Sequence, residues 1–161
     1  MQWTIIRGSP LTWVDRYSSR SNLKPSAFTG DTAPFYVGIL GNDPFGAALD
    51  ETVQGEVIGN HKIIVVRSQK IDDLKNCQMI FVSKSEKPHI TEILSDLDSR
   101  PILKVSEING FAQHGGGINF YLDGTKVRFE INLTATQSDG LKISSQLLSL
   151  GKIVRPAKEN Q

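Results

Sequence analysis

Two short runs, Lys62-Ile63-Ile64-Val65-Val66-Arg67 and Met79-Ile80-Phe81-Val82-Ser83, are rich in β-branched and aromatic residues and lack the alternation of apolar with polar positions. A strand wet on one face alternates, so both runs are expected to lie in a sheet covered on both faces, as parallel sheets between layers of helix are. A third run, Phe35-Tyr36-Val37-Gly38-Ile39-Leu40-Gly41, is followed by Asn42-Asp43-Pro44, read as a helix cap with proline at the first helical position. Phe45, Ala48, Leu49, Thr52 and Val53 then recur at helical spacing, with an end near Gly55. After Lys87-Pro88, Ile90, Ile93, Leu94 and Leu97 outline a second amphipathic helix, and Pro101 to Val105 a fourth strand. Strands that alternate with helices imply parallel βαβ units.

The last third of the chain reads differently. Val127, Phe129, Ile131 and Leu133 alternate with Arg128, Glu130 and Asn132, and Asp123-Gly124 separates this run from Ile118 to Leu122. That pattern predicts an antiparallel hairpin over 117–133 closed by a type I′ turn. Asp139-Gly140 should open a final helix with Leu141, Ser144, Leu147, Leu148, Leu150 and Val154 inward, stopped by Arg155-Pro156. The expected architecture is one three-layer α/β domain: parallel strands near 35–41, 62–67, 79–83 and 101–105, helices on both faces, and the C-terminal antiparallel hairpin. Residues 1–33 form an N-terminal arm without convincing periodicity, in which Ser9-Pro10 could cap a short helix. Residues 34–156 are the α/β domain, and 157–161 a polar tail.

With 161 residues, 39% of them apolar, the chain is long enough to bury a core without disulfides. A net charge of +1 gives no global field that would mark nucleic acid as a partner. The single cysteine, Cys77, cannot form an intrachain disulfide and reads as a small buried hydrophobe. No stretch is long and apolar enough for a membrane helix, and no signal peptide is visible at the start.

Catalytic readings fail for want of partners. His114-Gly115-Gly116-Gly117 matches an oxyanion-hole pattern of some esterases, but no Gly-x-Ser-x-Gly nucleophile turn occurs, so the glycines are expected to let the loop enter the hairpin at positive φ or close to another backbone. Gly38 and Gly41 before a helix match neither nucleotide-binding fingerprint. A phosphoacceptor domain needs an aspartate where Met79–Val82 ends, and Ser83-Lys84-Ser85 stands there. His61, His89 and His114 lack metal-ligand spacing, so neither a metal nor a cofactor is expected. Asn132-Leu133-Thr134 is a formal glycosylation sequon inside an expected strand, where a glycan has no room. The polar face of the hairpin, Arg128 and Glu130, is expected to line an exposed surface or cleft, because charges are hard to bury unpaired. Beside it the loop Asn109 to His114 carries Phe111, which either plugs the sheet edge or anchors a partner with Arg128 and Glu130 as polar rim.

Five separated blocks stand in order along the chain: Val37 to Gly46 (VGILGNDPFG), Cys77 to Ser83 (CQMIFVS), Val105 to Ala112 (VSEINGFA) with Gly115 to Phe120 (GGGINF), Val127 to Leu133 (VRFEINL), and Gly140 to Leu148 (GLKISSQLL). Through these blocks the chain, from Phe35 to Val154, resembles the YfiR/HmsC family of bacterial periplasmic proteins. The resemblance implies a non-enzymatic regulator in the periplasm that inhibits a membrane-bound diguanylate cyclase by binding its sensor region, lowering cyclic di-GMP and biofilm formation. It also implies an outer-membrane lipoprotein as a second partner and leaves a homodimer open. The candidate partner-binding residues are Phe111, His114, Arg128 and Glu130. The alternative function is a periplasmic small-molecule binding module, its cleft at the carboxyl ends of the parallel strands.

Overall fold

Phe35–Leu40 forms β1, in the middle of an eight-stranded sheet. In the computed structural model, which describes residues 33–156 apart from 59, 142 and 144, it lies between β3 (His61–Ser68) and β4 (Met79–Val82), parallel to both. Val37, for example, sits between Val65 and Met79. β4 continues in parallel to β5 (Leu103–Ser106), and β5 to β6 (Ile118–Asp123). β6 turns back antiparallel into β7 (Lys126–Asn132), and β8 (Lys152–Val154) adds in parallel at that end. At the other end β2 (Val57–Ile58) pairs antiparallel with β3. The order is β2-β3-β1-β4-β5-β6-β7-β8, the mostly parallel α/β sheet with a C-terminal hairpin that the apolar runs predict.

Alternate side chains fill two separate cores. One face carries Val37, Ile39, Phe81, Val105, Phe120 and Ile131 under α1 (Ala47–Val53), which contributes Leu49 and Val53, and under Leu148 of α4 (Ser145–Leu150). The other carries Leu40, Ile80 and Val82 under Leu74 of a 3₁₀ turn (Ile71–Leu74) and under Ile93 and Leu94 of α2 (Ile90–Asp96). Helical segments therefore cover both faces. Burial on this scale is the main favourable term in folding, at about 25 cal/mol per Å² of apolar surface.

Several local expectations need correction. β3 is not covered on both faces: Ile63 is buried in the core under α1, but Ile64, on the opposite face, is 40% exposed. α1 starts after Gly46 rather than at Pro44, and Asp43 instead accepts from the backbone N–H groups of Phe45 and Gly46 in the turn before it. The hairpin loop is Gly124-Thr125, closed by Asp123 opposite Lys126, with positive φ at Gly124 alone; that is the type II′ pattern, not type I′. β7 ends at Asn132, whose side chain accepts from the N–H of Ala135 and starts α3 (Leu133–Ser138) where a strand end had been expected. The final helix is confined to Ser145–Leu150, Leu150 is 61% exposed, and Gly151 turns the chain into β8. A side chain at Gly151 would overlap the Phe129 ring, so glycine lets the chain reverse tightly over the sheet there. The N-terminal arm apart from Ala33, its helix after Ser9-Pro10, and the tail from 157 lie outside the described residues, as does Ser144.

The β5–β6 crossover, residues 107–117, holds no helix. Phe111 fills that layer: it is fully buried against the α2 face, and Gly116 must lack a Cβ because one would overlap its ring. A Cβ on Gly117 would press at 3.0 Å on the Lys104 carbonyl, whose bond from Gly117 N–H holds β6 to β5. Gly116 and Gly117 thus serve close approach, and Gly115, with open space around it, the positive φ of 111°.

Candidate functional site

β4 and β5 end side by side, Val82 opposite Ser106. The Ser106 hydroxyl donates to the Val82 carbonyl at 2.6 Å and accepts from the N–H of Ile108 at 3.0 Å, which fixes how the chain leaves β5 at Glu107. Ser83 ends β4 in the same manner: its hydroxyl accepts from the N–H of Ser85 and opens the 3₁₀ turn Lys84–His89. β6 pairs with β5 only through Ile118 and Asn119, so the hairpin runs past the carboxyl edge of the parallel strands. Between the overhanging hairpin and these two exits lies a cleft of about 420 Å³. Lys84, Lys87 and Glu107 supply its charged groups, and Phe120, Leu122 and Val127 form an apolar wall.

Glu107 is the unusual member. Its side chain is 7% exposed, its Oε1 lies 3.9 Å from the Lys84 Nζ, and its Oε2 is sealed from solvent with no hydrogen-bond partner. A distance of 3.9 Å is beyond a hydrogen bond, so Lys84, itself 59% exposed, relieves the buried charge only in part. Leu122 is 54% exposed at the mouth.

None of the four candidate partner-binding residues lines this cleft. Phe111 must be corrected outright: it offers no surface to a partner, because the helix-free crossover uses its ring as core. His114 is exposed, with its Nδ1–H donating to the Gly110 carbonyl at 2.6 Å. Arg128 is 54% exposed and pairs with Asp123 at 2.7 Å. Glu130 is half-buried, opposite Asn119, and accepts from Gln113 Nε2 at 3.3 Å. Glu130 and the loop before His114 are therefore joined, and Arg128 shares their face of the hairpin further out. Asn132, at the inner end of the same face, is fully buried and uses both ends of its amide, donating to the Ala112 carbonyl and capping α3; it has no room for a glycan.

A family model described as YfiR/HmsC-like matches residues 22–152. The chain belongs to the YfiR/HmsC-like family. That family is regulatory rather than catalytic. The crystal structure of a conserved domain protein from Vibrio cholerae O1 biovar eltor str. N16961 is similar to this YfiR/HmsC-like chain at 12% identity and a TM-score of 0.51, over 73% of this chain and 54% of that one. The chain thus spans about half the length of that protein, and the likeness shows the fold alone. No curated protein matches. Among the described residues no helix is long and apolar enough to cross a membrane.

Sequence reasoning missed Glu107. The signal that could have found it is position: the residue after a parallel strand's carboxyl end, where open α/β sheets place ligands.

Proposed function

We propose that this chain is a non-enzymatic periplasmic regulator that represses a membrane-bound diguanylate cyclase by binding its periplasmic sensor region, so lowering cyclic di-GMP and biofilm formation. The observation that carries this reading is the family match over residues 22–152. The exposed polar face of the hairpin supports it physically. Glu130 is tied to the Asn109–His114 loop through Gln113, His114 is exposed at the end of that loop, and Arg128 is exposed further out on the same face of the hairpin; polar groups over a rigid sheet suit recognition of another protein.

The test is binding to the cyclase's isolated periplasmic region by calorimetry or pull-down. Arg128→Ala and His114→Ala, made separately, are expected to weaken binding about tenfold, ~1.4 kcal/mol, with the melting temperature little changed. No binding by the wild type to any periplasmic cyclase region encoded in the same genome overturns the function; unchanged binding by both variants moves the interface elsewhere.

A further inference from the structure

The β8 end of the sheet brings cations, apolar side chains and open backbone together. β8 pairs with Glu130, Ile131 and Asn132 alone and is the last strand of the order, so among the described residues no strand lies on its outer side or beside Lys126 to Phe129 of β7. Leu150 and Ile153, on either side of the turn at Gly151, are 61% and 54% exposed. Lys126, Lys152 and Arg155 are exposed and make no ion pair among the described residues. The acids that face Lys126 and Lys152 across the ladder, Asp123 and Glu130, are engaged by Arg128 and Gln113. Three uncompensated cations thus gather on one edge of a chain whose net charge is only +1.

We propose that this edge takes an added strand from a partner protein, an extended segment in which acidic and apolar side chains alternate. Successive side chains of a strand take opposite faces, so Lys152 and Val154 lie on one face of β8, and Ile153, in register with the buried Ile131, on the other. A segment laid along β8 sets its acids beside Lys152 on the first face and its apolar side chains beside Ile153 and Leu150 on the second, and cross-strand pairs of both kinds are favourable. Main-chain hydrogen bonds to the open edge hold such a segment, and its alternating side chains select it. A second copy of this chain, offering the same edge, sets its own cations against these and is repelled. Pro156 has no N–H and closes the ladder after Arg155, so the contact is short and depends on its charges. This edge is separate from the loop that carries His114, and it serves an acidic strand whether or not that strand belongs to a cyclase.

The experiment is isothermal titration calorimetry of the full chain with the end-blocked heptapeptide Glu-Val-Glu-Ile-Glu-Val-Glu, an analogue with lysine for each glutamate, and an analogue with proline for the central isoleucine. The acidic peptide is expected to bind, more weakly as salt is added, and both analogues about tenfold more weakly still. The double variant Lys152→Glu/Arg155→Glu should lose about tenfold in affinity for the acidic peptide and bind the lysine analogue more tightly than the wild type does. Should that variant fail to fold, Arg155→Glu alone, beyond the strand, decides by the same reversal of preference. Failure of the acidic peptide to bind overturns the proposal. So does equal binding of the lysine analogue, which removes selection by charge, or of the proline analogue, which removes the ladder, and so does an unchanged affinity in the folded variant. Phosphatidylglycerol vesicles that bind the chain through these residues where the peptide does not would make the edge a membrane contact, and a wild-type dimer abolished by the variant would make a second copy its occupant; either result also overturns it.

Discussion

At the scale of single residues, two side chains set the packing of the α2 face. Phe111 is wholly buried where a crossover helix would normally lie, so Phe111→Ala opens a cavity in a layer that has little else to close it. Its cost should be about 3–5 kcal/mol, measured as loss of stability by chemical denaturation. A drop of under 1 kcal/mol would show that the loop is not part of the core. Cys77 is the second. Burial pushes its thiol up to about 11, so the nucleophilic thiolate is scarce at neutral pH. The native protein should react with a thiol reagent at pH 8 far more slowly than the denatured chain. Gly38, one strand over, has its missing Cβ only 3.1 Å from the Cys77 Sγ. Gly38→Ala should therefore cost about 1–3 kcal/mol by overpacking, and Cys77→Ala in the same chain should recover part of it.

At the scale of elements, the parallel strands were legible because β-branched runs announce themselves, and α2 because its apolar spacing is regular. The errors share a cause: polar side chains that cap, and glycines that permit contact, decide where an element stops. Asn132 reads as one more outward position of an alternating strand until its amide is seen capping α3. Leu141, Leu147 and Leu148 continue a helical pattern that Gly151 interrupts, and nothing in that pattern reveals that β7 has an open edge for Ile153 and Val154 to join. Arg67 shows the same principle at the start of α1. Its guanidinium meets Asp43 at 2.6 Å, both oxygens of Asp50 at 2.9 and 3.0 Å, and the Gly46 carbonyl at 3.2 Å, tying β3 to the turn and to the helix. Hydrogen bonds to Asp50 and then Asp43 hold its proton more firmly than in a free arginine. A lysine cannot reproduce that fork. Arg67→Lys should lose about 0.5–1 kcal/mol at low salt, and because the group is 34% exposed the difference should shrink as salt is added; a salt-independent loss would assign the effect to packing.

At the scale of the whole molecule, one pair of charges among the described residues is sealed inside: Lys104 of β5 and Asp139 after α3, 2.8 Å apart, with side chains 3% and 1% exposed. Burial pushes the Asp139 carboxyl above its usual range, with Lys104 opposing the shift. The folded protein then holds this proton more tightly than the unfolded chain does, so the group's contribution is greatest below the ordinary aspartate range and is lost as pH rises through the elevated value. Lys104→Met or Asp139→Leu alone should cost about 3–5 kcal/mol at pH 7, whereas the double variant should regain most of it and lack that pH-dependent slope in urea titrations. No sequence pattern signalled this pair, since its members are 35 positions apart and lie on different elements, one on β5 and one just after α3. The candidate site was hidden for a related reason: Glu107 gains meaning only from how far β6 outruns β5, a matter of register that residue spacing does not encode. The sheet's ends carry a further consequence. β2 offers two residues of ladder and β8 three, with Lys152 in the latter. Both leave longer stretches of their neighbours unpaired on the outer side, Ile64 to Ser68 of β3 and Lys126 to Phe129 of β7, and Arg67, Lys126 and Arg128 place charges along these stretches, which disfavours runaway sheet-to-sheet aggregation there. A chain arriving at either end meets those charged side chains beside the open backbone, so that charge match decides which neighbours are tolerated there.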